Sequence, residues 1–148
     1  MKARSPSELL FVLALCLVAF CSGCGRVERA RQCQRLAETV NPRFDEIARH
    51  TSAKQTPSAL RAIAESYDAI ARDLAPLEFS KKELAEAVTD YGRQLKAAAR
   101  EARRAADAKE QKQASEHAAA RREVLQLNKP LNLARSRIEY ECQTGTRR

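Results

Sequence analysis

The sequence predicts an all-α protein, a four-helix bundle with up-down-up-down topology. Its composition is typical of helices: 31% of the residues are charged, 5% are aromatic, and the chain has four Gly and no Trp. Apolar residues recur in steps of three and four along four stretches, which places them on one face of a helix. Two cysteines near the ends of this helical part are the third observation, because a four-helix bundle brings those ends together.

The first residues of the chain have the order of a secretory signal peptide. Lys2 and Arg4 precede an uncharged run from Leu9 to Phe20, and small residues follow the run. The run is shorter than the ~20 apolar residues that a membrane-spanning helix needs. We therefore expect residues 1–23 to be a signal peptide and residues 24–148 to form a single helical domain.

Ser22-Gly23-Cys24 resembles the lipobox of bacterial lipoproteins, although Cys21 stands where that family has an aliphatic residue. The resemblance implies that Cys24 is acylated and becomes the new N-terminus. Ordinary signal cleavage and an uncleaved anchor remain the alternatives. Gly25 follows the cysteine, and a glycine at this position resembles the sorting signal of lipoproteins that reach the outer membrane. This implies an exported protein that is lipid-anchored in the outer membrane and faces the periplasm.

The first two apolar stripes predict two helices joined by a short polar turn. Asn41-Pro42 interrupts the first stripe, so we expect a kink or a restart there. Thr56 and Pro57 form a cap and a first-turn proline for the second helix, which Pro76 ends. The stripes comprise Ala30, Cys33, Ala37, Val40, Phe44 and Ile47, followed by Leu60, Ile63, Tyr67, Ile70 and Leu74.

The second half of the chain has two readings. Ser80 and Glu83 have the spacing of a capping box for a third helix. A turn within Asp107–Ser115 gives four helices, whereas one long helix over residues 80–128 gives three. Local propensity favours the long helix, because neither Gly nor Pro occurs in this stretch after residue 92. The stripes comprise Leu84, Val88, Tyr91, Leu95, Ala98, Ala102 and Ala105, followed by Ala120, Val124, Leu127, Leu131, Ala134 and Ile138.

The cysteines favour four helices. Once the signal is removed and Cys24 is lipidated, Cys33 and Cys142 remain, and in an exported protein such a pair is a disulfide candidate. Four helices bring the two residues to one pole, whereas the long helix separates them. Cys33-Gln34-Arg35-Leu36 and Tyr140-Glu141-Cys142 also resemble a class of small exported helical-bundle lipoproteins without an assigned activity. That resemblance supports the fold and implies no chemistry.

No motif in the sequence indicates catalysis. Phosphate-binding loops, nucleophile elbows, zinc signatures and haem attachment motifs are missing from the sequence. His50 and His117 are expected at the surface, near the pole away from the lipid, so we expect no catalytic residue, cofactor or metal. The sequence favours a non-enzymatic accessory, adaptor or structural lipoprotein of the bacterial cell envelope. The alternative is a ligand- or metal-binding helical bundle.

The chain is basic, with a formal net charge of +8 and a pI near 9.6. Export argues against nucleic acid as the partner of this charge. The expected partners are the membrane, through the lipid at Cys24, and an anionic envelope component or another envelope protein. A basic tract has two interpretations, a solvated helix face, which we favour, or an electrostatic dock. Its members are Arg93, Lys96, Arg100, Arg103, Arg104, Lys109, Lys112, Arg121 and Arg122.

Overall fold

The protein is all-α and contains four helices in the part of the chain that the structure describes. The computed structural model describes the backbone of residues 6–52 and 56–144, and the side chains of residues 25–50 and 56–144. The helices are α1 (Pro6–Ser52), α2 (Pro57–Leu74), α3 (Lys82–Glu110) and α4 (Ala114–Thr144). Over the residues described, none of these helices has an apolar stretch long enough to cross a membrane.

Proline has different effects in the two halves of the first hairpin. α1 continues through Pro42, so of the two expectations, a kink or a restart, the restart is wrong. Pro42 and Glu38, whose carbonyl loses its helical donor, are both exposed, and water can satisfy that carbonyl. In α2 the prediction is confirmed: Pro57 lies in the first turn, and the Thr56 hydroxyl accepts a hydrogen bond from the Ala59 amide at 3.2 Å.

The capping box predicted for α3 does not form. Lys81 occupies the N-cap position and makes no side-chain capping hydrogen bond. Ser80 lies one residue earlier, and its hydroxyl donates instead to Oε1 of Gln32 on α1 at 3.2 Å. A tertiary hydrogen bond has therefore replaced the local one that the sequence pattern indicates.

The turn between α3 and α4 decides between the two readings of the second half. Gln111–Gln113 reverse the chain, and Lys112 has a φ of 57°, in the left-handed region. The Gln113 amide donates to the Ala108 carbonyl at 2.8 Å, and the Lys112 amide donates to the Lys109 carbonyl at 3.2 Å. This is the hydrogen-bond pattern of a Schellman motif, which ends a helix. Four helices are therefore present, and the single long helix over residues 80–128 is wrong.

The helices pack in chain order around a square. α3 packs closely against α2 on one side and against α4 on the other, and α1 packs against α2. Contacts between α1 and α4 are sparse, and the diagonal pairs do not touch closely in the described residues. The bundle therefore has one open seam, between its first and last helices.

The core changes character along the bundle. Large side chains fill the half near Cys33 and Cys142, where Ile70, Leu84 and Leu95 are fully buried. Toward the α3–α4 turn the core consists mostly of alanines, which allow α2, α3 and α4 to approach closely. These residues are Ala64, Ala99, Ala102, Ala105, Ala106 and Ala120, together with Leu60.

The predicted stripes of α2, α3 and α4 are confirmed, and that of α1 needs correction. In α1, Leu36 and Ile47 are buried, whereas Ala30 and Ala37 of the predicted stripe are exposed. Leucine buries more apolar area than alanine, so α1 is rotated to bury Leu36. In α4, Ala120, Ala134 and Ile138 of the predicted stripe are buried, and Val124, Leu127 and Leu131 are half-buried.

The left-handed turn residue yields a prediction about stability. A non-glycine residue in the left-handed region costs about 1–2 kcal/mol, and glycine avoids that cost. Lys112→Gly is therefore expected to raise the free energy of unfolding by about 1 kcal/mol, measured by urea denaturation. Lys96→Gly, at an exposed position inside α3, is the matched control and should lower it by about the same amount. A loss of stability in Lys112→Gly would contradict the prediction.

Candidate functional site at the disulfide pole

A disulfide joins the first and last helices of the bundle. Cys33 of α1 and Cys142 of α4 are bonded, with 5.9 Å between their Cα atoms and 109 residues between them in the chain. This confirms the predicted pair. We name the end of the bundle that contains this bond, the loop from Ala75 to Ser80 and the start of α3 the disulfide pole. It is also where α1 leads back toward Cys24.

Two polar contacts close the disulfide pole around the covalent bond. The side chain of Gln32 is buried, and its Oε1 accepts hydrogen bonds from the amide and the hydroxyl of Ser80, each at 3.2 Å. Lys81, the N-cap of α3, forms a half-buried ion pair with Glu141 of α4. α1, the α2–α3 loop, α3 and α4 are therefore tied together within a few residues of the disulfide.

Next to the disulfide, α1 and α4 enclose an apolar groove of about 260 Å³. Leu36, Val40 and Ile138 line it, and Tyr91 of α3 contributes to its wall. Arg135 of α4 lies over the ring of Phe44, with its guanidinium carbon 6.0 Å from the ring centre. The groove is the open seam of the bundle, narrowed by the disulfide at one end and by this cation–π contact along its side.

Burial of the two core tyrosines changes their acidity. Tyr91 is 4% exposed, and burial raises the pKa of its hydroxyl to about 12. Burial also raises the pKa of Tyr67. Both residues lie on predicted core stripes, and Tyr67 is half-buried beside the alanine core. Their hydroxyls remain neutral at physiological pH and make no anionic site.

A second groove, of about 370 Å³, lies on the other side of the bundle between α2, the α2–α3 loop and α3. Leu74, Leu77 and Phe79 form its apolar wall, and Arg93 and Lys96 of α3 lie along it. Arg93 pairs with Asp90 at 3.3 Å, whereas Lys96 makes no ion pair in the described part of the chain. The groove combines apolar surface with positive charge.

The two histidines do not meet at a common site. Nδ1 of His117 donates to the Ala105 carbonyl at 2.9 Å, which ties the start of α4 to the end of α3. The nearby carboxylates on the same helices form ion pairs: Glu116 pairs with Arg104, and Glu46 pairs with Arg43. Among the described residues, no group of three or more His, Cys, Asp or Glu side chains is arranged to hold a metal ion.

The basic tract divides into cations that hold helices together and cations that do not. Arg103 pairs with Asp68 of α2, and Arg104 pairs with Glu101 and with Glu116 of α4 at 2.8 and 2.9 Å. A further cation outside the tract, Arg61 of α2, reaches two carboxylates of α3. Exposed pairs of this kind are screened by water, so each stabilises the fold only weakly. Lys96, Arg100, Arg121 and Arg122 are exposed and make no such pair within the described residues.

Cys24 and the signal segment lie outside the residues whose side chains the structure describes. The first described side chains of α1 are those of residues 25–32, which lead from Cys24 to Cys33. Val27 is 53% exposed there, whereas Gln32 is already buried at the disulfide pole. The lipidation of Cys24 therefore stays a prediction.

The disulfide gives a stability prediction. Closing a loop of about 100 residues stabilises a fold by roughly 4–5 kcal/mol through the unfolded state. The double variant Cys33→Ser/Cys142→Ser should lose about that much free energy of unfolding in urea denaturation. Dithiothreitol should destabilise the wild type similarly and leave the double variant unchanged. A loss below about 1 kcal/mol would show that the bond contributes little.

Tyr91 gives a prediction about pH. Its folded-state pKa of about 12 lies above the ~10 of an exposed tyrosine, so ionisation is costlier in the folded state. The stabilising contribution is complete below pH ~10 and is lost as the pH rises through ~12. Tyr91→Phe should therefore show a smaller fall in free energy of unfolding over that window than the wild type. Tyr140→Phe, at an exposed position, is the control and should keep the wild-type slope.

No protein-family model, curated protein or solved structure matches this chain.

Proposed function

We propose that the protein is a membrane-tethered, non-enzymatic helical lipoprotein of the bacterial cell envelope, which acts by contact as an accessory, adaptor or structural component. The tether is a lipid on Cys24, which the resemblance of Ser22-Gly23-Cys24 to a lipobox supports. The four-helix bundle that follows supplies a compact, rigid body whose surfaces can meet other envelope components.

The Cys33–Cys142 disulfide is the observation that carries this proposal. Disulfides form and persist in oxidising compartments such as the bacterial periplasm, and cytosolic thiols are kept reduced. The two cysteines lie 109 residues apart in the chain, yet the fold brings them within bonding distance. A disulfide between cysteines that meet only in the folded chain supports export. This support does not depend on the signal-like segment.

The tether and the disulfide act together in the proposed mechanism. Each buried CH₂ of an acyl chain contributes ~0.8 kcal/mol, so two or three chains on Cys24 hold the protein firmly at the membrane. α1 leads from Cys24 into the disulfide pole. There the covalent bond holds α4 beside α1. The anchored end is then that pole, and the α3–α4 turn is the opposite end of the bundle.

The grooves favour a second candidate function, a ligand-binding bundle. The groove of about 370 Å³ between α2 and α3 is large enough for a small apolar molecule, and Arg93 and Lys96 would suit an anionic group on it. A native mass spectrum of the protein purified from bacterial membranes discriminates between the two candidates. Added mass of a copurified small molecule favours the binding bundle.

Metabolic labelling with a palmitate analogue tests the tether. Expressed in a bacterium, the wild type should incorporate the label and Cys24→Ala should lose it, because the thiol of Cys24 is the proposed acceptor. Cys21→Ala, three residues earlier, is the matched control and should keep the label. Labelling of Cys24→Ala at the wild-type level would contradict the proposal.

A further inference from the structure

The outer face of α4 exposes large apolar side chains. We use this name for the residues that lie opposite the buried Ala120, Ala134 and Ile138 on the helix. Leu125, Leu133 and Tyr140 lie on it and are 63%, 58% and 64% exposed. They are three of the four strongly exposed large apolar residues in the described part of the chain. Because the three side chains share one side of the helix, this side is a candidate contact surface.

The same face is positively charged, and in the described residues no carboxylate lies between its apolar side chains. Arg122 and Lys129 lie between the apolar residues, and Arg121 and Arg137 lie at its edges. None of these four cations forms an ion pair within the described residues. The carboxylate at its edge, Glu139, is engaged by Arg135 at 2.8 Å.

Glu123 is the other nearby acid, and it lies beyond the edge marked by Arg137, on the flank of the helix. The outer face differs in this respect from α3, where Arg103 and Arg104 join neighbouring helices. In the described residues, the four cations of the outer face join no neighbouring helix through an ion pair. They remain available to an external anion.

We propose that the outer face of α4 lies on an anionic lipid bilayer. The row from Arg122 to Tyr140 extends ~27 Å along one side of α4, so it can contact a surface over much of the length of the helix. Arginine and lysine are attracted to anionic headgroups, leucines enter the boundary of the acyl region, and tyrosine is favoured at the headgroup level. Charge complementarity therefore identifies the occupant as acidic lipid.

The tether favours a membrane over a soluble acidic protein. Three separate apolar side chains offer less than the ~800 Å² per partner of a stable protein interface. A lipid on Cys24 holds the chain at the membrane, and so a weak surface is sufficient there. The disulfide also keeps α4 beside α1, within reach of the bilayer. The inference rests on the proposed tether and adds that the bundle lies on its side.

A single tryptophan on α4 tests this orientation. The chain has no Trp, so Leu125→Trp introduces a single tryptophan, whose emission can be excited separately from that of the three tyrosines. Leu125 lies ~25 Å along the helix from Cys142, so an upright bundle keeps it in water. The full-length protein purified from bacterial membranes is reconstituted into phosphatidylglycerol vesicles and into phosphatidylcholine vesicles. We expect emission at shorter wavelength, and quenching by brominated lipid, on the phosphatidylglycerol vesicles alone.

Matched variants distinguish an effect of the outer face of α4 from effects of net charge and of the lipid anchor. In Leu125→Trp, the triple reversal Arg122→Glu/Lys129→Glu/Arg137→Glu should abolish the spectral shift. The control is Arg72→Glu/Lys96→Glu/Arg100→Glu, which reverses three unpaired cations on α2 and α3 and changes the net charge by the same amount. It should keep the spectral shift. Glu65→Trp, on α2, is a second reporter and should show no shift, since α2 lies diagonally across from α4. Circular dichroism checks that each variant is folded.

The outcomes separate this inference from the tether. Flotation with phosphatidylcholine vesicles reports the lipid anchor, because that surface offers no net charge. If the Leu125→Trp protein floats while its tryptophan emits as in water on phosphatidylglycerol, the inference is overturned and the tether stays in place. An equal loss of the shift in both triple variants would also overturn it, because net charge alone would then explain the attraction.

Discussion

The covalent bond between Cys33 and Cys142 is the constraint on which the position of α1 depends. α1 packs against α2, but its contacts with α4 are sparse, and an apolar groove separates the two helices beyond the bond. Without the bond, little direct packing would hold α1 beside α4. The disulfide therefore closes a square of helices whose other three sides are held by ordinary packing.

The rest of the bundle is stabilised by two kinds of contact that change along its length. Near the disulfide pole, leucine and isoleucine side chains such as Leu84 and Ile70 exclude water from the core. Toward the far end, alanines reduce the distance between helices, and each contributes little buried area. Ion pairs such as Arg61–Asp107 and Arg104–Glu116 cross between helices there. The far end thus relies on close approach and on charge placement at its surface.

The positions of the charges also distinguish cations that join helices from cations that face outward. Arg103 and Arg104 use their charge to join α3 to its neighbours, which makes part of the basic surplus structural. Arg122 and Lys129 are directed to the outside of α4, among exposed leucines. A net positive charge alone could not distinguish these roles, because the distinction depends on which carboxylate lies across the helix boundary.

The amino-acid sequence was sufficient to predict four helices, the cap at Thr56 and Pro57, the inner faces of α2 and α3, and the pairing of the two late cysteines. Periodicity and helix-end chemistry are local, so they are readable without the fold. Tertiary packing set what local rules could not: Ser80 bonds to Gln32 instead of capping α3, Leu36 displaces Ala37 from the core, and α1 continues through Pro42. The first two depend on partners distant in the chain, and the third on an exposed helix face where water meets the freed carbonyl. The outer face of α4 also emerged only from the fold, because exposure depends on which helices cover a surface.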